Sequence, residues 1–349
     1  MPWSSPLIGV VRSNYSPYSV LARWDRPLHP SAVIRVKDLK KYFPVRKGVF
    51  GRTVGHVHAV DGVSFDINEV ETLGLVGESG CGKSTVGRTL IRLLEPTSGS
   101  IYLGNDELTH LHSKDLRPHR KKMQMIFQDP FASLDPRMTA RDIVGELLDV
   151  HDGLTRKEKD RRVAELFARV GLRSNQMDNY PHEFSGGQRQ RLGIARALSL
   201  RPQVIICDEP VSALDVSIQA QVVNLLAELQ AELGLSYLFI SHDLAVVKHI
   251  SHRVAIMYLG RIVEIGTRRD LFENPQHPYT ESLLSAVPIP DPKARRKVRV
   301  LQGDVPSPIN RPKGCHFHTR CPYATDRCER EDPVMHDITS SHAVACHLR

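Results

Sequence analysis

The chain alternates short, continuously apolar runs with longer stretches whose apolar positions recur every three or four residues. Thr72-Leu73-Gly74-Leu75-Val76, Val204-Ile205-Ile206-Cys207 and Tyr237-Leu238-Phe239-Ile240 are runs of the first kind. Such runs, bounded by turn residues and without polar alternation, predict strands covered on both faces. Each ends on glycine or polar residues: Gly77, Asp208-Glu209 and Ser241-His242-Asp243. Ligand chemistry in an open α/β sheet gathers outside the carboxyl ends of its strands. Runs of the second kind predict helices. Val163, Leu166, Phe167 and Val170 follow Thr155 and Glu158, which have the spacing of a capping box, and Gly171 suits the stop. A further helix is expected after Ser217, through Leu225, Leu226 and Leu229 to Leu233, ending at Gly234. Both stripes read as core packing. The alternation predicts an α/β fold with a largely parallel sheet.

Composition narrows this without changing it. Hydrophobic residues make up 41% and charged residues 25% of the 349, enough to build an ordinary core. The formal charge is +8, but no run of five or six like charges occurs, so a solvated surface is expected rather than a nucleic-acid footprint. No stretch approaches 18 consecutive apolar residues, which argues against a membrane span. Residues 1–30, rich in Ser, Pro and Arg, read as a tail, and their apolar run at 7–11 is too short for a signal-peptide core. A cytoplasmic location is expected. The six cysteines there would be thiols or metal ligands rather than disulfides. Prolines become frequent beyond Asn274-Pro275, which suggests a loop-rich C-terminal extension over 276–349.

The chemistry sits in two motifs. Gly77-Glu78-Ser79-Gly80-Cys81-Gly82-Lys83-Ser84, followed by Thr85, matches G-x-x-x-x-G-K-[ST] in full, after a predicted strand and before a helical run at 86–94. Its glycines let backbone N–H groups turn inward around phosphate oxygens, and the helix N-terminus adds positive charge. Lys83 is expected to reach the β- and γ-phosphates, and Ser84 to ligate Mg²⁺. Cys81 reads as a small filler. At the end of the second apolar run, Asp208 is expected to hold Mg²⁺ and Glu209 to orient the attacking water. A glycine-rich turn or a solvated Asp-Glu pair would be the bland readings. Finding both motifs together in strand context argues against them.

Phe184-Ser185-Gly186-Gly187-Gln188 narrows the class. A serine-glycine-glycine turn opening a helix is a second anion site in the same chain. The run closely resembles the signature motif of ABC-transporter ATPases. The resemblance implies a P-loop NTPase fold with a RecA-like core, an antiparallel β subdomain and a helical signature subdomain at about 130–200, over residues 31–275. It implies that two such domains sandwich two ATPs head to tail, Ser185, Gly186, Gly187 and Gln188 facing the other subunit's nucleotide. By the same resemblance, Gln128 is the Q-loop glutamine near Mg²⁺ and water, Ser212-Ala213-Leu214-Asp215 the D-loop and His242 the switch histidine at the γ-phosphate. Phe43 is the aromatic expected on adenine, with Tyr42 as the alternative. The family usually has Gly-Glu before the P-loop strand. Here the run is Asn68-Glu69-Val70-Glu71, and a β-branched valine resists positive φ, so a locally different turn is expected.

The runs at 127–134 and 207–221, together with His277-Pro278-Tyr279-Thr280, the run at 286–292 and Pro306-Ser307-Pro308-Ile309-Asn310, resemble the oligopeptide/dipeptide importer ATPases, and among them the "F-type" subunit. This implies a subunit at the cytoplasmic face of the membrane. Its partners would be a second ATPase, two permeases and an extracytoplasmic binding protein. Nickel importers of the same branch leave the substrate open. A ribosome- or DNA-acting ABC ATPase would carry two fused halves or a long coiled-coil insertion. A small-molecule kinase would lack the signature turn and switch histidine.

Cys315, Cys321, Cys328 and Cys346 have the spacing C-x5-C-x6-C-x17-C. Four thiolates on a small proline-rich module could hold Zn²⁺ or a [4Fe–4S] cluster, or remain thiols or disulfides, with His316, His318 and His347 as substitute ligands. The pattern resembles the C-terminal cysteine motif of peptide-importer ATPases, which implies an iron–sulfur cluster.

Overall fold

The computed structural model describes residues 32–48, 52–286 and 303–349. The tail expected at 1–30 lies outside them. Strands β1 (Ala32–Lys47) and β2 (Arg52–Asn68) form a long antiparallel pair. The central strand β3 (Thr72–Val76) follows and feeds the phosphate loop and helix α1 (Lys83–Leu90). Strands β4 (Ser98–Leu103) and β5 (Asp106–Glu107) complete a four-stranded antiparallel sheet in the order β2-β1-β4-β5. Helix α2 (Ser113–Lys122) leads into β6 (Met123–Ile126). Three helices then occur in succession: α3 (Ala140–His151), α4 (Arg156–Arg169) and α5 (Gly186–Leu198). Strand β7 (Val204–Asp208), helix α6 (Val216–Leu233), strand β8 (Ser236–Ser241) and helix α7 (Leu244–Ile250) return the chain to the large sheet. Strands β9 (Arg253–Tyr258) and β10 (Arg261–Thr267) form a hairpin, followed by helices α8 (Arg268–Glu273) and α9 (Pro278–Ser285). Near the C-terminus come helix α10 (Asp326–Arg330) and strands β11 (His336–Thr339) and β12 (His342–Val344).

The eight-stranded sheet runs β11-β12-β10-β9-β3-β8-β7-β6. Its β6, β7, β8, β3 and β9 pair in parallel, and every residue of β3, β7 and β8 is buried, as predicted for strands covered on both faces. The two helices expected from periodicity form and stop where predicted, although α6 begins at Val216, ahead of the expected start after Ser217. Thr155 and Glu158 make a reciprocal capping box, and Gly171 and Gly234 adopt positive φ at the stops. The helix after the phosphate loop ends at Leu90, short of the expected 94, in a turn where Arg92 takes φ 55°.

One expectation fails. Val70 does adopt the left-handed conformation, at φ 57°. Its neighbours hold it there. Its N–H donates to Ser236 Oγ at 3.0 Å, and the Glu71 carboxylate accepts the Asn68 N–H at 2.7 Å. These two contacts, one tertiary and one within the turn, override the intrinsic preference of a β-branched residue.

Candidate functional site

The phosphate loop is positioned by close approach of backbone. A Cβ on Gly77 would lie 2.1 Å from the Met257 carbonyl oxygen. One on Gly82, whose φ is 107°, would lie 2.0 Å from that of Ala59. Only glycine fits either place. Lys83 opens α1, and its Nζ donates to the carbonyls of Gly77 (2.7 Å) and Glu78 (3.0 Å). Cys81 is buried and its thiol is pushed up by burial, in keeping with a filler role.

An open cleft of about 710 Å³ lies over this loop. Ser79, Gly80, Gly82, Lys83, Ser84 and Thr85 line one side; Gln128, Glu209 and His242 line another. The carboxylate Oε2 of Glu209 accepts Gln128 Nε2 at 2.9 Å and lies 3.3 Å from His242 Nδ1. Three segments far apart in sequence therefore converge on one oxygen. Glu209 itself sits at φ 46°, a strained conformation that directs its side chain into the cleft instead of along the strand. Ser84 Oγ donates to Asp208 Oδ1 at 2.6 Å. Asp208 is 0% exposed, and burial pushes its carboxyl up; the Ser84 hydrogen bond and nearby Arg88 oppose that shift and the Glu209 charge adds to it. Its second oxygen, Oδ2, is buried without a hydrogen-bond partner. That oxygen lies 3.8 Å from an Arg88 guanidinium nitrogen, too far for a hydrogen bond, and a buried acceptor with this unmet capacity beside a serine hydroxyl fits a divalent cation, which would favour the ionised carboxylate. Ser84, Asp208 and Gln128 thus suit Mg²⁺.

Ser185 is the N-cap of α5 and makes a capping box with Gln188. A Cβ on Gly187 would meet Ile218 at 2.6 Å. None of Ser185, Gly186, Gly187 or Gln188 lines the cleft, so the chain's two anion turns do not share one pocket. Phe43 is likewise outside the lining. It pairs across the β1–β2 ladder with Val57, which does line the cleft, and carries Lys41 Nζ 5.0 Å from its ring centre. Tyr42 is tied instead to Asp61 through its hydroxyl.

Sequence reasoning missed the C-terminal contribution. Pro308 lines the cleft, and its carbonyl accepts the His58 N–H at 3.2 Å. The run Pro306-Ser307-Pro308-Ile309-Asn310 marks the family by resemblance but does not announce a place at the cleft. The four C-terminal cysteines lie close enough to perturb one another: the Cys315 thiol is pushed up to about 11, first by burial and then by Cys328, Cys346 and Cys321. Yet among the described residues no group of three or more His, Cys, Asp or Glu side chains is arranged to hold a metal ion. The expected ligand set at Cys315, Cys321, Cys328 and Cys346 is therefore not formed in this structure. Burial favours the protonated thiols of Cys315, Cys321 and Cys346, and Cys328 Sγ is engaged with Thr325 Oγ1 at 3.4 Å. His318 Nδ1 and His347 Nε2 face backbone carbonyls, of Cys315 and Glu331.

A glycine-built phosphate loop, an acidic strand end and a glutamine-histidine pair on one carboxylate define an ATPase of the P-loop class. The sequence profile described as "ABC transporter" matches residues 60–212, and that described as "Oligopeptide/dipeptide transporter, C-terminal region" matches 263–328. The oligopeptide transport ATP-binding protein AppF of Bacillus subtilis (strain 168) is 56% identical over 319 residues, covering 90% of this chain and 97% of that protein. OppF of Salmonella typhimurium (strain LT2), described in the same words, is 54% identical over 320 residues, covering 90% and 95%. Among solved structures, a dimeric ATP-binding cassette in a post-hydrolysis state, bound to ADP and Pi, is 28% identical with a TM-score of 0.61, covering 68% of this chain and 99% of that one. The chain belongs to the ATP-hydrolysing subunits of ABC transporters, in their oligopeptide/dipeptide branch. No helix among the described residues is long and apolar enough to cross a membrane.

Proposed function

We propose that this chain is one of two ATPases driving a di- or oligopeptide importer from the cytoplasmic face of the membrane. Its partners in this reading are a second homologous ATPase, two permeases and an extracytoplasmic binding protein, with no nucleic acid involved. Residues 31–275 form the ATPase domain, with a helical subdomain at about 130–200, and 276–349 the extension. The observation that carries the reading is the division of labour within the cleft. One chain supplies the phosphate loop and the Glu209–Gln128–His242 wall, whereas its Ser185 turn lies outside that cleft's lining, which leaves it for a facing subunit. The dimeric cassette of similar fold supports such a pairing.

In the proposed cycle Lys83 and the loop amides hold the β- and γ-phosphates, and Phe43 stacks on adenine. Mg²⁺, held by Ser84, Asp208 and Gln128, would neutralise developing phosphate charge. Glu209 takes the proton of the attacking water, with Gln128 fixing its orientation and His242 placed for the γ-phosphate. Glu209→Gln is expected to bind ATP and hold the two ATPases together while hydrolysis falls about 100-fold or more. Wild-type turnover by that variant would sink the assignment.

The four C-terminal cysteines are proposed as ligands of a structural [4Fe–4S] cluster, or of zinc. Mutual proximity of the thiols supports this. A metal would supply the charge that stabilises thiolates against burial. Anaerobically purified protein is expected to carry about four iron atoms per chain. Stoichiometric zinc without iron would select the alternative, and neither metal would refute the ligand set.

A further inference from the structure

Glu78 sits inside the phosphate loop, and two of its three polar groups are held from the C-terminal extension. Its backbone N–H donates to the Tyr279 hydroxyl at 2.9 Å. Its carboxylate receives both terminal nitrogens of Arg320, at 2.7 Å to Oε2 and 3.0 Å to Oε1. Its carbonyl takes Lys83 Nζ at 3.0 Å. The Arg320 side chain is 7% exposed and that of Glu78 25%. The clamp stands on a cluster of three rings: Tyr258 and Tyr279 are 4.8 Å apart between centres, with Phe317 5.3 and 5.4 Å from them. Phe317 precedes Arg320 by three residues and is fully buried.

A carboxylate beside a triphosphate is electrostatically adverse, and in a partly desolvated loop the repulsion is weakly screened. A bidentate guanidinium both neutralises that carboxylate and fixes its direction. We propose that Arg320 is a positioning residue for ATP: it holds the Glu78 carboxylate aside and neutral in effect, so that the C-terminal extension sets the phosphate loop's affinity for nucleotide. The inference rests on the cleft being the ATP site. It makes the extension a structural part of that site, beyond any role in contacting other subunits. Tyr279 carries the backbone half of the same task, holding residue 78 while Lys83 draws on its carbonyl.

The test is nucleotide affinity of the full-length chain, by calorimetric titration with MgATP at low and high salt. Arg320→Ala is expected to weaken binding about tenfold at low salt, with a smaller penalty at high salt. The double variant Arg320→Ala/Glu78→Gln removes the charge at its source and is expected to regain most of the lost affinity. Arg320→Lys keeps the charge without the fork and should fall between wild type and Arg320→Ala. A merely structural contact would give no rescue, since Glu78→Gln cannot restore a lost tether. A double variant as weak as Arg320→Ala, or an Arg320→Ala variant that binds like wild type, would overturn the inference. Wild type failing to bind ATP would instead refute the reading of the cleft.

Discussion

Among the non-glycine residues in left-handed backbone, Val70 and Glu209 are there for different reasons. Glu209, at φ 46°, is a strand end turned so that one carboxylate meets Gln128 and His242, and its strain is tied to the chemistry. Val70, at φ 57°, only closes the turn between β2 and β3, and its side chain packs little: the residue is 44% exposed. A β-branched residue in this region costs about 1–3 kcal/mol, whereas the extra chain entropy of glycine costs about 0.5–1 kcal/mol. Val70→Gly is therefore expected to stabilise the protein by about 1 kcal/mol, read as a higher denaturant midpoint with an unchanged slope. A loss of stability would mean that the exposed valine contributes packing the structure does not reveal. The sequence pointed to this position because valine stood where glycine is usual. It gave the wrong resolution because the Ser236 and Glu71 contacts that hold the turn are tertiary, not local.

At the scale of elements, legibility followed contiguity. β3, β7 and β8 were visible because buried parallel strands must be apolar throughout, and α4 was visible because Thr155 and Glu158 cap it within four residues. The phosphate loop was legible for the same reason: cradling phosphate with backbone N–H groups requires consecutive residues. Asp208 and Glu209 were found because they end an apolar strand. Phe43 was assigned by resemblance alone, and the structure leaves it one ladder position across from the cleft-lining Val57. What stayed hidden were pairs distant in sequence. Arg320 lies 242 residues from Glu78, and nothing about either residue's neighbours marks them as partners. The cysteine quartet is a different case. Spacing suggested a ligand set, but spacing does not fix where sulfur atoms point, and among the described residues no metal-ready group forms.

For the whole molecule, the consequence is that the C-terminal extension is built into the ATPase body. Its last hairpin adds β12 to the edge of β10, pairing Glu264 with Val344 and Gly266 with His342, which extends the sheet and covers an edge that would otherwise be open. One carboxylate locks this junction. Glu264, 0% exposed, accepts the N–H groups of Gln276 (2.7 Å) and His277 (2.9 Å) and pairs with His342 Nε2 at 2.7 Å. It thus ties the sheet, the start of α9 and the final hairpin together. Glu264→Ala leaves two backbone donors and a buried imidazole without their acceptor, and each such loss costs about 1–3 kcal/mol. A total of roughly 3 kcal/mol or more is expected, seen as a melting temperature lower by a few degrees and faster proteolysis within 303–349. Glu264→Gln keeps an acceptor oxygen and should recover part of the loss. Because α9 carries Tyr279, whose hydroxyl holds the phosphate loop, the alanine variant should also bind ATP more weakly at temperatures where it is still folded. If stability dropped while ATP affinity did not move, the sheet junction and the phosphate loop would be mechanically independent.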